Sequence, residues 1–251
     1  MVHFVGAGCG APDLITLRGH RLLSEADVVI YAGSLVNSAL LEAAKLGCEI
    51  YDSARMTLEE VFSVIKDAEA AGKTTVRLHT GDTALYSAIR EQIDLLKAAG
   101  IPYDVTPGVS SFCGAAAALG VEYTLPGVSQ SVVITRMAGR TPVPDREEIA
   151  SFAAHGATMV IFLSAGMLPE LRARLLAGGY RGDTPAAIVY KASWPDEKCV
   201  VGSVGHLPEM AAKNGISRTA LILVGEFLGK QYVRSKLYDP AFSHSYREAE
   251  Q

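Results

Sequence analysis

The chain has 251 residues, 49% of them hydrophobic and 20% charged, with a formal net charge of -4 at pH 7. That length suffices for one large domain or two of ordinary size, and the apolar fraction is enough for a substantial core. The acidic balance argues against a nucleic-acid partner, which usually demands a basic excess, but a local group of arginines can still hold an anionic small molecule. Cys9, Cys48, Cys113 and Cys199 are far apart in the chain and form no CxxC pair. A disulfide scaffold or zinc ribbon is therefore not expected, and scattered thiols suit a reducing cytoplasm. The opening MVHFVGAGCG lacks the basic start and apolar run of a signal peptide. The most apolar segment, 157–168, is too short to span a bilayer and contains Ser164 and Gly166, so no membrane partner is expected.

In chain order, short β-rich runs alternate with longer helical stretches. Residues 2–5 read as a strand that stops at Gly6, 16–25 as a helix, and 26–31 as a second, buried strand. The Ala/Leu-rich stretch 37–45 reads as a helix stopped by Gly47, followed by a short strand over 49–51. Residues 58–71 carry the apolar stripe Leu58, Val61, Phe62, Ile65 and Ala68, a helix ended by Gly72. A strand over 75–79, a helix over 87–99, a strand over 102–106 and a helix over 110–119 complete the first half. The unbroken run of six small residues at 113–118 in that last helix predicts close packing against another element. Continuous apolar strands separated by helices imply a mainly parallel sheet covered on both faces.

Gly120, Pro126 and Gly127 break this pattern, which places the inter-domain connection there and gives an N-terminal domain over 1–120 and a C-terminal domain over 121–251. The second half is expected to contain strands over 131–135, 159–163, 186–190, 198–203 and 219–224. Its helices fall at 147–155, 168–177 and 207–214, and its polar tail from residue 230 reads as mostly irregular. The expected class is α/β, with a mainly parallel N-terminal sheet and a mixed C-terminal one.

Three loops carry possible chemistry. Gly6-Ala7-Gly8-Cys9-Gly10 follows the first strand, where glycines permit positive φ and close backbone approach. The spacing is GxGxG rather than the dinucleotide GxGxxG, and the second strand ends in Tyr31 rather than an acidic residue, so a nicotinamide cofactor is poorly supported. A tight loop with no ligand explains these glycines equally well. His79-Thr80-Gly81-Asp82-Thr83 ends the fourth strand, at the edge where open parallel sheets bind ligands, although Asp82 could simply cap the next segment. Thr106-Pro107-Gly108-Val109-Ser110-Ser111 makes a turn and opens a helix with two hydroxyls, which serve either as caps or as donors to a ligand. The six histidines show no metal-ligand spacing, so no metal is expected, and neither a hydrolase nucleophile elbow nor a Walker lysine is present.

Taken together and in order, the segments VGAGCGAPDLITLRG (5–19), VRLHTGDTALY (76–86) and DVTPGVSSF (104–112) resemble the three signature loops of the tetrapyrrole (corrin/porphyrin) methyltransferase family. The resemblance runs from Val2 to about Gly229. Within that family, YAGSLV (31–36), DSARMTLE (52–59), TLPGVSQSVVIT (124–135) and SKLY (235–238) resemble the branch that methylates C-11 of precorrin-4, in its metal-free and cobalt-containing forms alike. The uroporphyrinogen branch carries an acidic residue after the equivalent of Tyr31 and a lysine near the equivalents of 53–55, and both are missing here. The chain departs from the family pattern at Cys9, where most relatives have Pro, at Ala11, where many have Asp, and at Thr83, where Pro is usual.

The resemblance implies two α/β domains with the cofactor between them, a homodimer, and S-adenosyl-L-methionine as methyl donor, leaving S-adenosyl-L-homocysteine. It implies cofactor contacts from Thr80, Gly81, Asp82, Leu85, Ser110 and Ser111 in the first half. In the second half the matching positions are Ser164, Tyr190, Lys191, Ala192 and Ala220, and for Ala220 a plain buried strand residue is the better account. A large ring with acetate and propionate groups implies a trough lined by Gly8, Gly10, Ser34, Leu35 and Met56, with Arg55, Arg77, Arg136 and Arg140 as candidate carboxylate partners. A solvated surface charge is an equally good account of each arginine. No residue stands out as a catalytic base. Methylation at C-2, C-17 or C-20 of a corrin ring is the nearest alternative. A diphthamide- or rRNA-directed member of the fold and a non-catalytic cofactor-binding protein are more distant ones.

Overall fold

The computed structural model describes residues 1–249. The chain forms two units. One comprises Met1–Ala118 with Lys191–Glu197, and the other comprises Leu119–Tyr190 and the chain from Lys198 onward. The excursion at Lys191–Glu197 brings a segment from late in the chain into the first unit.

The first unit is built on five strands: β1 (Val2–Gly6), β2 (Val28–Tyr31), β3 (Glu49–Asp52), β4 (Thr75–His79) and β5 (Tyr103–Thr106). Their order is β3-β2-β4-β1-β5, and every pairing is parallel. Helix α1 (Leu17–Glu25) covers one face, where Leu23 packs with Val5, Val29, Val76 and Leu78. Helices α2 (Leu58–Ala70) and α3 (Ile89–Ala98) cover the other, where Val61, Ile65 and Leu96 pack on Val2, Phe4, Val28 and Ile30. Fully burying each such Leu or Ile contributes roughly 1.5–3 kcal/mol. Strand β4 lies between β2 and β1, and all five of its residues are buried. Caps set the helix starts: Thr16 accepts from Gly19 N, and Thr57 and Glu60 form a reciprocal capping box.

One expected helix is absent. Residues 37–45 instead form a 3-10 segment, Ser38–Ala43, capped by Asn37. Its one buried residue is Leu40, so little tertiary packing rewards a longer α-helix there.

The second unit carries β6 (Val132–Arg136), β7 (Thr158–Phe162), β8 (Pro185–Tyr190), β9 (Lys198–Ser203) and β10 (Ala220–Val224), in the order β6-β7-β10-β8-β9. Only β6 and β7 pair in parallel, so the sheet is mixed. Helices α5 (Ile149–Ala153), α6 (Leu168–Ala177) and α7 (Leu207–Asn214) bury Ile149, Leu171, Leu175 and Leu207 against alternate strand residues such as Met159, Ile161, Ile188 and Ile222. The helix expected over 147–155 divides into a 3-10 turn, Asp145–Glu147, and the short α5. The tail contains a 3-10 turn, Lys236–Tyr238, and a bridge between His244 and Arg247.

Candidate functional site

Parallel strands end together, so the loops after β1 to β5 share the carboxyl edge of the first sheet. The connections leaving β1 and β4, which are neighbours, run in opposite directions, and this is where an open sheet offers a crevice. Three glycine loops meet there backbone to backbone. Gly8 and Gly81 form a two-way bridge, with Gly8 N donating to Gly81 O at 3.2 Å and Gly81 N to Gly8 O at 2.9 Å. Gly108 packs so closely that a β-carbon on it would lie 2.1 Å from Gly81 O, and one on Gly6 would lie 2.6 Å from the Gly108 backbone. The glycines thus serve first to let the three loops touch one another.

Asp82 pins this junction. Its Oδ1 accepts from Ala84 N and its Oδ2 from Gly108 N, each at 2.8 Å. The carboxylate both turns its own loop and ties it to the Pro107-Gly108 turn. Thr80, Leu85 and Ser111 are half-buried around the junction, while Ser110 is buried, its backbone carbonyl accepting from Cys113 N and Gly114 N to start α4 (Ser111–Leu119).

The segments around Ser34 and Arg55 are also knit together. Asp52 Oδ1 accepts from Gly33 N at 3.1 Å and from Ala54 N at 2.9 Å, and Ser53 Oγ donates to Tyr31 O at 3.0 Å. A β-carbon at Gly33 would collide with the Asp52 carboxylate, at 2.2 Å. These bonds tie the turn that leads into Ser34 and the exposed Leu35 to the turn that carries Arg55, at the carboxyl ends of the paired strands β2 and β3, while Met56 packs partly against the core under α2. Arg55 is exposed and makes no ion pair among the described residues.

Arg77 is a correction to the sequence reading. It lies on β4 with only 7% of its surface exposed, donating from Nε to Gln92 Oε1 at 3.0 Å and from Nη1 to Ile30 O at 3.1 Å. It faces the α2 and α3 side of the sheet, not the carboxyl edge, and burial lowers its pKa to about 10. His79, next on the same face, is buried too, with Nε2 lacking a hydrogen-bond partner among the described residues. Burial first, and the Arg77 charge second, lower its pKa to about 3, so the ring is neutral.

The loop Lys191–Glu197 closes over the first glycine loop. Ser193 Oγ accepts from Ala11 N at 2.9 Å and lies 3.3 Å from Cys9 Sγ. Trp194 covers Gly10, where an added β-carbon would stand 2.2 Å from Trp194 Cδ1. Asn37 Nδ2 donates to Gly10 O at 2.9 Å. Ala192 packs against Gly114 of α4, the close packing that the small residues of that helix predicted. Lys191 pairs with Asp196 at 2.6 Å and stands over the Trp194 ring. Asn37, Asp52, Ser193 and Trp194 escaped the sequence reading. Asn37 before Ser38 was legible as a cap, but nothing in the sequence ties Ser193 or Trp194 to a loop some 180 residues away.

In the second unit, strand register brings Arg136, Ser164, Tyr190 and Ala220 to one end of the sheet. Tyr190 and Ala220 are direct partners on β8 and β10. The Ser164 hydroxyl is buried and engaged, donating to Phe162 O at 2.7 Å and accepting from Met137 N at 2.9 Å. Before it, Leu163 adopts a left-handed φ of 52° and is 63% exposed, a strained presentation of an apolar side chain that no sequence signal announced. Arg136 donates to the carbonyls of Met137, Thr141 and Pro142 and has no carboxylate partner among the described residues. Arg140 is exposed and likewise unpaired among them. No group of three or more His, Cys, Asp or Glu side chains among the described residues is placed to hold a metal ion. No helix among them is long and apolar enough to cross a membrane.

The sequence pattern described as Tetrapyrrole (Corrin/Porphyrin) Methylases matches residues 1–208. The cobalt-precorrin-4 C(11)-methyltransferase of Methanocaldococcus jannaschii is 53% identical over 249 residues, covering 99% of this chain and 96% of that protein. The precorrin-4 C(11)-methyltransferase of Pseudomonas aeruginosa is 44% identical over 251 residues, 99% of each chain. Among solved structures, a cobalt precorrin-4 methyltransferase of cobalamin biosynthesis matches with a TM-score of 0.89 and 44% identity, over 91% of this chain and 96% of that one. A uroporphyrin-III C-methyltransferase from Thermus thermophilus, complexed with S-adenosyl homocysteine, matches with a TM-score of 0.74 and 28% identity, over 91% and 93%.

Proposed function

Because the chain belongs to the tetrapyrrole (corrin/porphyrin) methylase family, we propose that it transfers a methyl group from S-adenosylmethionine to C-11 of precorrin-4, metal-free or cobalt-containing, during assembly of the cobalamin ring. The observation that carries this reading is identity over nearly the whole length with relatives named for that reaction, at 53% and 44%.

The residues present suit the cofactor. Thr80 and Ser111 offer hydroxyls and Leu85 an apolar wall, each partly open, around a backbone crossing held by Asp82. Lys191 and Ala192 contribute from the loop that packs into the same unit. When bound, S-adenosylmethionine supplies an activated methyl group on a sulfonium.

The chain itself then has to orient and to exclude water. An electron-rich pyrrolic carbon must lie in line with the bond to be broken, and fixed orientation of this kind is worth up to roughly 7–11 kcal/mol. Ser34, Leu35 and Met56 form the surface for the flat ring, and Gly8 and Gly10, which are buried against Gly81 and under Trp194, shape the loop beneath it rather than touch it. Arg55 binds its carboxylates, since its guanidinium is not neutralised by an acidic side chain among the described residues. Methyl transfer from a sulfonium disperses charge, so a dry site favours it. The protein acts as a cytoplasmic homodimer.

The test is incubation with S-adenosylmethionine and enzymatically generated precorrin-4, with and without cobalt, followed by mass spectrometry and NMR of the product. One added methyl at C-11 upholds the reading, and the preferred form of substrate assigns the branch. A methyl at C-2, C-17 or C-20, or none, overturns it.

A further inference from the structure

We infer that Ser193 is a positioning residue, whose hydroxyl clasps the glycine loop after β1 and fixes the shape that loop presents to the ring. This rests on the reading that the glycine loop after β1 underlies the tetrapyrrole trough.

Four observations carry the inference. The Ser193 hydroxyl is the acceptor for Ala11 N at 2.9 Å and lies 3.3 Å from Cys9 Sγ, so one side chain holds the two residues on either side of Gly10. Gly10 itself is enclosed, with Trp194 against its α-carbon and Asn37 Nδ2 on its carbonyl at 2.9 Å. The clasping loop holds two non-glycine residues in left-handed backbone, Lys191 at φ 48° and Ser193 at φ 65°. Such backbone is costly and persists only where surrounding contacts impose it. Those contacts lie within the loop: Ser193 N donates to Glu197 Oε2, Trp194 N donates to Lys191 O at 3.0 Å, and Lys191 pairs with Asp196.

The position of Cys9 fits the same picture. A thiol stands where a proline would lock φ, so the loop's shape is left to its contacts, and Ser193 supplies them from outside. Without the hydroxyl, Ala11 N loses its acceptor and the loop loosens at Cys9 and Ala11 beneath the ring, while Gly8 stays bridged to Gly81 and Gly10 O stays bonded to Asn37. Asp82 and the cofactor-facing side of the junction keep their own bonds to Ala84 and Gly108.

Two variants separate the hydroxyl from backbone strain. Ser193→Ala removes the hydroxyl alone. Ser193→Gly removes it and also relieves the left-handed backbone, so its melting temperature should equal or exceed that of the wild type. In both, the Michaelis constant for cobalt-precorrin-4 should rise roughly fivefold to tenfold, the loss of one hydrogen bond, with kcat and calorimetric affinity for S-adenosylhomocysteine changed less than about twofold. The Ala11 amide should exchange faster with deuterium in both. A Ser193→Gly protein with wild-type Michaelis constant and wild-type exchange overturns the inference, as does a loss of S-adenosylhomocysteine affinity equal to the loss for the ring. If the wild-type protein methylates neither form of precorrin-4, the functional reading fails separately, and Ala11 exchange alone decides the clasp. Faster exchange in both variants upholds it, and unchanged exchange overturns it.

Discussion

Asp82 and Gly108, 26 residues apart in the chain, are joined by a hydrogen bond of 2.8 Å from the Gly108 amide to Asp82 Oδ2. The other oxygen of the same carboxylate accepts from Ala84 N. One half-buried side chain therefore shapes the loop after β4 and ties it to the loop after β5. Asp82→Ala leaves two backbone donors without this acceptor, at roughly 1–3 kcal/mol for each that water does not reach. A chain of this size should lose about 2–4 °C of melting temperature per kcal/mol. Because Gly81 and Ser110 move with the junction, S-adenosylhomocysteine should bind more weakly by at least about tenfold, the equivalent of roughly 1.4 kcal/mol. Calorimetry and thermal melts on the same protein check both numbers. Intact affinity with a lowered melting temperature would show that Asp82 shapes the loop without serving the cofactor.

The glycines at the junction are not equivalent. At Gly108 a β-carbon would meet the Gly81 carbonyl at 2.1 Å and the Gly6 backbone at 2.8 Å, and backbone atoms cannot swing away as a side-chain tip can. Gly108→Ala should therefore separate the loops, abolish S-adenosylhomocysteine binding and lower the melting temperature strongly. At Gly81 the obstacle is different: the nearest atom to a new β-carbon is 3.5 Å away, but φ is +63°. Gly81→Ala should cost only about 1–2 kcal/mol, from left-handed backbone alone, while Gly81→Arg should fill the cofactor side of the loop and abolish binding. Thermal melts and calorimetry of the three variants rank them. A Gly108→Ala protein that melts and binds like the wild type would sink the close-packing account.

Much of this was legible in the chain itself. The three loops announced themselves through strand ends followed by Gly, Pro and Asp, because turn chemistry is local. The parallel first sheet followed from apolar runs such as Val28 to Ile30, buried on both faces. What sequence could not reveal is which partner a residue meets across the fold. Gly6, Gly81 and Gly108 pack on one another rather than on a ligand alone, and only tertiary structure brings them together. Arg77 looked available for a carboxylate, yet a strand covered on both faces leaves no open side, and its guanidinium turned inward to Gln92. Ser193 and Trp194 sit in no motif and act from the far half of the chain.

His79 should make folding stability depend on pH. Its folded-state pKa is about 3, against 6.5 for the free side chain, lowered by burial and by Arg77. Below pH 6.5 the unfolded chain takes up a proton that the folded chain refuses, so stability present above that value is lost as pH falls toward 3. Between pH 7 and about 5 the loss from this residue is on the order of 2 kcal/mol. His79→Leu removes both the titration and the unpartnered Nε2. Its stability should match or exceed the wild type at pH 5, and its urea-unfolding free energy should fall less between pH 7 and pH 5. Parallel pH dependence in the two proteins would mean that the wild-type ring protonates in the fold.

Arg77 and Arg55 should separate folding from binding. Arg77→Met removes a buried guanidinium with two hydrogen bonds and leaves Gln92 Oε1 and Ile30 O without their donor. The expected cost is roughly 1–3 kcal/mol of stability for each acceptor left dry, with the Michaelis constant for cobalt-precorrin-4 unchanged. Exposed Arg55 should behave in the opposite way. Arg55→Ala should leave the melting temperature within about 1–2 °C, as surface substitutions do. It should raise the Michaelis constant by roughly tenfold if its guanidinium meets a ring carboxylate through charge-assisted bonds. Kinetics and melts of both variants suffice, and a Michaelis constant that rises for Arg77→Met but not for Arg55→Ala would reverse the assignment.

Asp52 extends the same reasoning to the far side of the trough. Its Oδ1 accepts from both Gly33 N and Ala54 N, so the end of β3 organises the turn before Ser34 as well as the one before Arg55. Neither bond touches the residues assigned to the cofactor. Asp52→Ala should therefore loosen Ser34, Leu35 and Arg55 together and raise the Michaelis constant for the ring at least as much as Arg55→Ala alone. The double variant Asp52→Ala/Arg55→Ala should be far less than additive, because residues acting through one structure share one loss. S-adenosylhomocysteine affinity should stay within about twofold, a change near 0.4 kcal/mol. Full additivity in the cycle would mean that Asp52 serves the ring by a route independent of Arg55, and an equal fall in cofactor affinity would mean that β3 supports the whole carboxyl edge rather than one side of it.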